Sequence, residues 1–189
     1  MKKILAAVLC LAFAVQSSFA LTVIPKIGID IPGTMNYDEG PDNETKRGFM
    51  IGAEVREKIS NYFSWGAGFE YVLPRGLSGV PGDNDFSFFP VYVSLMFYPF
   101  GAWEKVKPYI KVNAGYSVLA ATQAKGDMKG GLYRSAGVGT EYKNFAGEVM
   151  ACAYSGEHDG MGLTYQKIGF VLGYKFNVDL FKSKSGDEY

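Results

Sequence analysis

The single histidine of this 189-residue chain, His158, lies in Ser155-Gly156-Glu157-His158-Asp159-Gly160. A hydroxyl, an imidazole and carboxylates this close together are the ingredients of nucleophilic and general-base chemistry. A glycine-rich connection, however, does not hold base and nucleophile in register, so His158 reads as a solvated loop residue. Carboxylates gather in two further segments, Asp38, Glu39, Asp42 and Glu44 in one, Asp83 and Asp85 in the other. Their spacing does not match the twelve-residue calcium loop, and they read as hydrophilic surface. With only Cys10 and Cys152, a disulfide framework is excluded. Cys152 reads as a small buried residue rather than a reactive thiol. No catalytic, cofactor or metal-binding residue is assigned.

A different set of ionisable residues is patterned. Lys26, Asp30, Glu54, Arg56, Glu70, Lys111, Glu141, Glu148 and Lys175 occupy alternate positions among glycines, opposite rows of large apolar residues. Period-two alternation of this kind is the signature of β-strands. Near 23–31, Ile27, Ile29 and Ile31 oppose Lys26, Gly28 and Asp30. Phe49, Ile51, Ala53 and Val55 oppose Met50, Gly52, Glu54 and Arg56, and Phe63, Trp65, Ala67, Phe69 and Tyr71 oppose Ser64, Gly66, Gly68 and Glu70. A fourth strand at about 86–98 puts Phe89, Val91, Val93, Leu95 and Phe97 on one face. A fifth at about 108–118 alternates Ile110, Val112 and Ala114 with Lys111, Asn113 and Gly115. Strands near 132–142 and 145–154 are weaker and place Gly137, Gly139, Glu141, Glu148, Met150 and Cys152 on the small or polar face. The eighth sets Ile168, Phe170, Leu172, Tyr174, Phe176 and Val178 against Gly169, Val171, Gly173, Lys175 and Asn177.

The ends of the chain set the context. Lys2 and Lys3 precede an apolar run from Ile4 to Val15, and Ser18-Phe19-Ala20 offers small residues for cleavage. Residues 1–20 therefore read as a secretory signal peptide, with Cys10 inside its apolar stretch. Residues 21–178 form one domain, and 179–189 a short charged tail. No later segment has the ~18 unbroken apolar residues of a spanning helix, so a membrane would be crossed by strands. Nineteen basic residues balance nineteen acidic ones, which argues against a nucleic-acid partner. With 48% hydrophobic residues the chain is not a disordered one.

Alternation alone leaves open which face points inward. An eight-stranded barrel has a bore just wide enough to be filled with side chains. The large apolar face would not fit in it, whereas the glycine-rich face would, with its charges paired across the lumen. Connections near 56–62, 99–107 and 143–144 are short, and those near 32–47, 72–85, 119–131 and 155–165 are long and rich in Gly, Asp, Asn and Pro. Short turns at one end and long loops at the other are typical of outer-membrane barrels, with both termini on the periplasmic side. Tyr62, Trp65, Phe97, Phe100, Trp103, Tyr142, Phe145, Tyr174 and Phe176 gather near the short turns, and Tyr71, Phe86, Phe88 and Tyr116 near the long loops. Such belts suit headgroup depth. Pro25 and Pro108 fall at strand starts, while Pro90 interrupts strand four unless it marks a bulge.

Lys26-Ile27-Gly28-Ile29-Asp30, Lys107 to Tyr116 and Gly137-Val138-Gly139-Thr140-Glu141-Tyr142 resemble segments of small bacterial outer-membrane proteins. The group is that of the OmpA membrane domain, OmpX and the opacity proteins. The resemblance implies an all-β, eight-stranded antiparallel up-and-down transmembrane β-barrel in the bacterial outer membrane. It implies lipid and lipopolysaccharide as surroundings. It also implies assembly by the outer-membrane machinery through an aromatic-ended closing strand, carried here by Gly169, Leu172, Tyr174 and Phe176. Unlike the usual signal, this one is followed by Asn177–Tyr189. Relatives that modify lipid A use His with Ser and an acid, and His158 is not expected to act so. The expected role is structural and surface-interacting, with loops offered to a host or surface partner over a charge-plugged barrel. The alternative is a narrow ion or small-solute pore.

Overall fold

The computed structural model describes residues 21–38, 43–76, 78, 86–101, 105–121, 128–158 and 160–178. The signal-peptide expectation with Cys10, the tail, and Glu39, Asp42, Asp83, Asp85, Trp103 and Asp159 lie outside them. Eight long strands follow one another: β1 (Leu21–Asp30), β2 (Gly48–Lys58), β3 (Phe63–Arg75), β4 (Phe86–Phe97), β5 (Val106–Ala121), β6 (Met128–Tyr142), β7 (Phe145–His158) and β8 (Met161–Tyr174). Each pairs antiparallel with the next, and β1 also pairs with β8 from Lys26↔Gly173 to Asp30↔Gly169. Phe176–Val178 extends that seam against Val23–Leu21. Closure leaves no barrel strand with a free edge, as a bilayer requires.

The two faces of each strand separate cleanly. Outside stand Ile27, Phe49, Ile51, Val91, Val93, Val112, Val138 and Leu172, each about half or more exposed. In water such a surface would far exceed the apolar patch a monomer tolerates, and lipid is the solvent that fits it. Aromatic residues rim the short-turn end, with Tyr62, Phe63, Phe100, Tyr142, Phe145 and Phe176 exposed there, and Tyr71, Phe89 and Tyr116 stand toward the other end. Phe86 and Phe88 do not join that second belt. Both point into the lumen and are buried, because Phe89 faces out and its neighbours must alternate with it.

The short turns are 59–62 and the two-residue Lys143-Asn144, where Lys143 has φ 52°; β4 and β5 are joined at the same end through 98–105. At the opposite end the fourth connection is shorter than expected. The β7–β8 ladder continues to Met161↔His158, so Ser155–His158 are strand, not loop. β5 and β6 likewise run past their expected ends, to Ala121 and from Met128. Where β1 leaves β8 at Asp30, Thr34–Tyr37 takes its place against Gln166–Leu163, and Asn43–Glu44 pairs back onto Met35–Thr34. The wall on the β5–β8 side is thus carried upward beyond the apolar belt.

Pro90 sits in a β4–β5 ladder whose register runs unbroken through it. The cost falls on the other side, where the β3–β4 ladder passes from Phe69↔Val91 to Val72↔Phe88 without regular pairing at Pro90. A bulge follows between Val72 and Arg75.

Candidate functional site

The lumen is where the polar chemistry of this chain is concentrated, and it is filled in layers. The inner faces of β1, β2, β5 and β7 bring Lys26, Glu54, Arg56, Lys111 and Glu148 together. Glu54 takes Lys26 Nζ at 2.5 Å, Lys111 Nζ at 2.6 Å and Arg56 Nη2 at 2.9 Å. Glu148 accepts from Lys111 at 3.0 Å, from Arg56 at 3.2 Å and from Tyr109 Oη at 2.8 Å. Toward the short-turn mouth, Glu141 accepts from Arg56 at 2.7 Å, Lys175 at 2.5 Å and Tyr98 Oη at 3.0 Å. Glu70 stands apart from the cations; the Tyr92 hydroxyl donates to it at 3.1 Å and also contacts Glu54 at 3.2 Å. Buried charges persist only when paired and hydrogen-bonded, and this network meets that condition at nearly every member.

Asp30 belongs to a second group nearer the long-loop mouth. It accepts from Arg75 at 2.6 Å and Lys167 at 2.8 Å, and Arg75 also donates to Tyr165 Oη at 2.8 Å. Arg75 and Lys167 were not among the sequence-assigned charges. Lys167 shares the parity of Gly169 and lies one position before the expected start of the eighth strand. Arg75 lies beyond the Val72–Arg75 bulge, where the inward parity switches from even to odd.

Between the two groups the bore holds rings and thioethers. Tyr133, Tyr154 and Tyr165 stand directly opposite one another across β6, β7 and β8, with ring centroids 5.0 and 5.6 Å apart. Tyr92 continues the row at 5.5 Å from Tyr133, Phe88 stacks on Tyr165, and Phe86 meets the same ring edge-on. Met35, Met50, Met150 and Cys152 pack into the same cluster. These large side chains fit because glycines face them on neighbouring strands. A Cβ on Gly139 would sit 2.4 Å from the Tyr109 ring, and one on Gly68 would sit 2.9 Å from that of Tyr92. Thr45 closes the top, fully buried, with its hydroxyl bonded to Gly33. From Glu141 at one mouth to Thr45 at the other, lumen side chains are almost wholly shielded from solvent.

Among the described residues, the remaining candidates are not assembled into a site. Ser155 and Glu157 lie in a regular ladder against Thr164 and Gly162, and Lys129 pairs with Glu157 at 3.0 Å on the exposed surface. Of the acidic segment, Asp38 packs over Gly162 and Glu44 is bound into the short hairpin. Among the described residues no group of three His, Cys, Asp or Glu side chains is placed to hold a metal ion. The closing-strand residues split by face: Gly169 is buried beside Asp30, Leu172 and Phe176 are exposed, and Tyr174 packs 4.8 Å from Phe176 and 5.2 Å from Phe145.

No family model and no curated protein matches the sequence. Among solved structures the chain is similar to Ail, the attachment invasion locus protein of Yersinia pestis, at 20% identity over 84% of this chain and 99% of that one, TM-score 0.50. It is also similar to Neisserial surface protein A, at 12% identity over 82% and 97%, TM-score 0.56. OprG, an outer-membrane protein of Pseudomonas aeruginosa, gives 14% identity over 85% and 98%, TM-score 0.53. The chain has the fold of the small outer-membrane β-barrels. Its apolar belt, closed wall and turn asymmetry all suit that membrane, with the short turns toward the periplasm. Identities this low carry the fold and not the activity.

Proposed function

We propose that this barrel is a surface-display protein whose extracellular wall and hairpins contact an external partner, without catalysis and without a conducting pore. The observation that supports it most is the filled lumen. Above the short-turn mouth, ion pairs, stacked rings and Thr45 bury the described inner side chains, which supports a lumen without an open route for solute. Among the described residues, the outside is offered the raised β5–β8 wall with the Thr34–Tyr37 and Asn43–Glu44 hairpin beside it. Lys46 and Arg47 stand exposed next to that hairpin. A solved structure of Ail carries the heparin analogue sucrose octasulfate, which makes a sulfated glycan the first partner class to try. Assembly in the membrane would use the β8 end, with Leu172 and Phe176 outward and Tyr174 beside them.

The test is binding of the refolded chain to immobilised heparin. Retention that falls severalfold in Lys46→Gln/Arg47→Gln, with the heat-dependent gel shift of the folded barrel intact, supports the reading. Retention that ignores both substitutions and any exchange of residues 34–46 speaks against an extracellular site of this kind.

A further inference from the structure

Among the described residues, the cations of the lumen outnumber the carboxylates most strongly at the short-turn mouth. A cavity of about 310 Å³ opens there, lined by Arg56, Lys58, Lys107, Lys143 and Lys175 against a single carboxylate, Glu141. Both oxygens of Glu141 are already taken, one by Arg56 and Tyr98 and the other by Lys175. Lys58, Lys107 and Lys143 are therefore left without a carboxylate partner among the described residues. Lys58 donates to the Asn61 side chain at 2.9 Å, and the Lys143 ammonium lies 5.4 Å from the centre of the Tyr142 ring. Higher in the bore the cations meet carboxylates, so the surplus is greatest here.

The backbone supplies a second observation. Lys143 adopts φ 52° in the two-residue turn, a conformation that costs an ordinary side chain and favours Gly or Asn. A lysine held in that conformation projects a cation to the rim of the same cavity, while its turn neighbour Asn144 has no positive φ. Like charges converging on a concave, partly desolvated surface raise the local concentration of counter-ions and favour a multivalent anion over a monovalent one. Hydroxyl and amide side chains complete the lining and offer hydrogen bonds to its oxygens.

We propose that the periplasmic mouth is a binding site for a small anion bearing two or more carboxylate or phosphate groups. The volume lies at the small end of ligand cavities, which run from ~300 to ~1,000 Å³, so the fit is to a compact solute and not a polymer segment threaded inward. Lysines act as point charges and accept either anion class. The site does not depend on what the extracellular wall binds.

Titration calorimetry of the folded chain in zwitterionic micelles at low salt, with pyrophosphate and with citrate as probes, tests it. Saturable one-to-one binding of either probe is expected, at least tenfold weaker in Lys107→Gln/Lys143→Gln and retained in Lys107→Arg/Lys143→Arg. The tighter probe names the anion class. Lys46→Gln/Arg47→Gln, at the opposite end, is expected to leave this binding unchanged, which separates it from the heparin experiment. Absence of saturable binding at low salt, or binding equally strong after Lys107→Gln/Lys143→Gln, would overturn the proposal.

Discussion

Lys111 is the residue on which the inner network turns. It is fully buried and bridges Glu54 and Glu148, two carboxylates on different strands. Lys111→Met leaves both carboxylates short of a donor in a buried part of the bore. Removing one partner of a buried ion pair costs about 3–5 kcal/mol, more than the pair itself contributes. Urea unfolding of the barrel in lipid vesicles, followed by tryptophan fluorescence, is expected to show a loss of that size with no gain in ion flux. Equal stability with altered flux would mean that the lysine lines a path. Gly48 gives a steric counterpart. A Cβ there would lie 2.2 Å from Arg75 Cζ, so Gly48→Ala must push the guanidinium off Asp30 and Tyr165. Overpacking of this sort costs about 1–3 kcal/mol, readable in the same unfolding experiment.

At the scale of the strand, the face assignment is the claim to test. Val138 projects outward from the middle of β6, 58% exposed in the absence of lipid. Val138→Arg is expected to destabilise the folded barrel by about 2–4 kcal/mol, the range for a cation near the bilayer midplane. A soluble barrel would accept it at almost no cost. Strand faces were legible in the sequence because each carries a period of two over many residues, as Ile27, Ile29 and Phe49, Ile51 show. Three things were not. Arg75 falls past a bulge, and a bulge changes parity without any residue that announces it. The aromatic character of Phe86 and Phe88 suits a belt, whereas alternation with Phe89 turns Phe88 inward. Tyr92, Tyr133, Tyr154 and Tyr165 share the face expected to be small. Room for them depends on cross-strand register, such as Gly68↔Tyr92 and Gly115↔Tyr133, which a single strand does not reveal. The charged positions were legible one by one, but the division into a Glu54–Glu148 group and an Asp30 group required the closed wall.

For the whole molecule, closure and filling act together. Pairing of β1 with β8 removes the edges, and the apolar belt then makes lipid the only solvent in which the outer face is stable. The same closure confines the charges, and the tyrosine row and Thr45 shut the space above them. On the proposed reading, a barrel built this way acts at its ends, one carrying the Thr34–Tyr37 hairpin and one lined with lysines. Conductance of refolded residues 21–189 in planar bilayers tests this most directly, once a heat-dependent gel shift shows that the barrel has folded. The account predicts an electrically silent membrane at any voltage the bilayer survives. Steady channels whose size or rectification changes with Glu70→Gln or Lys111→Met would contradict it.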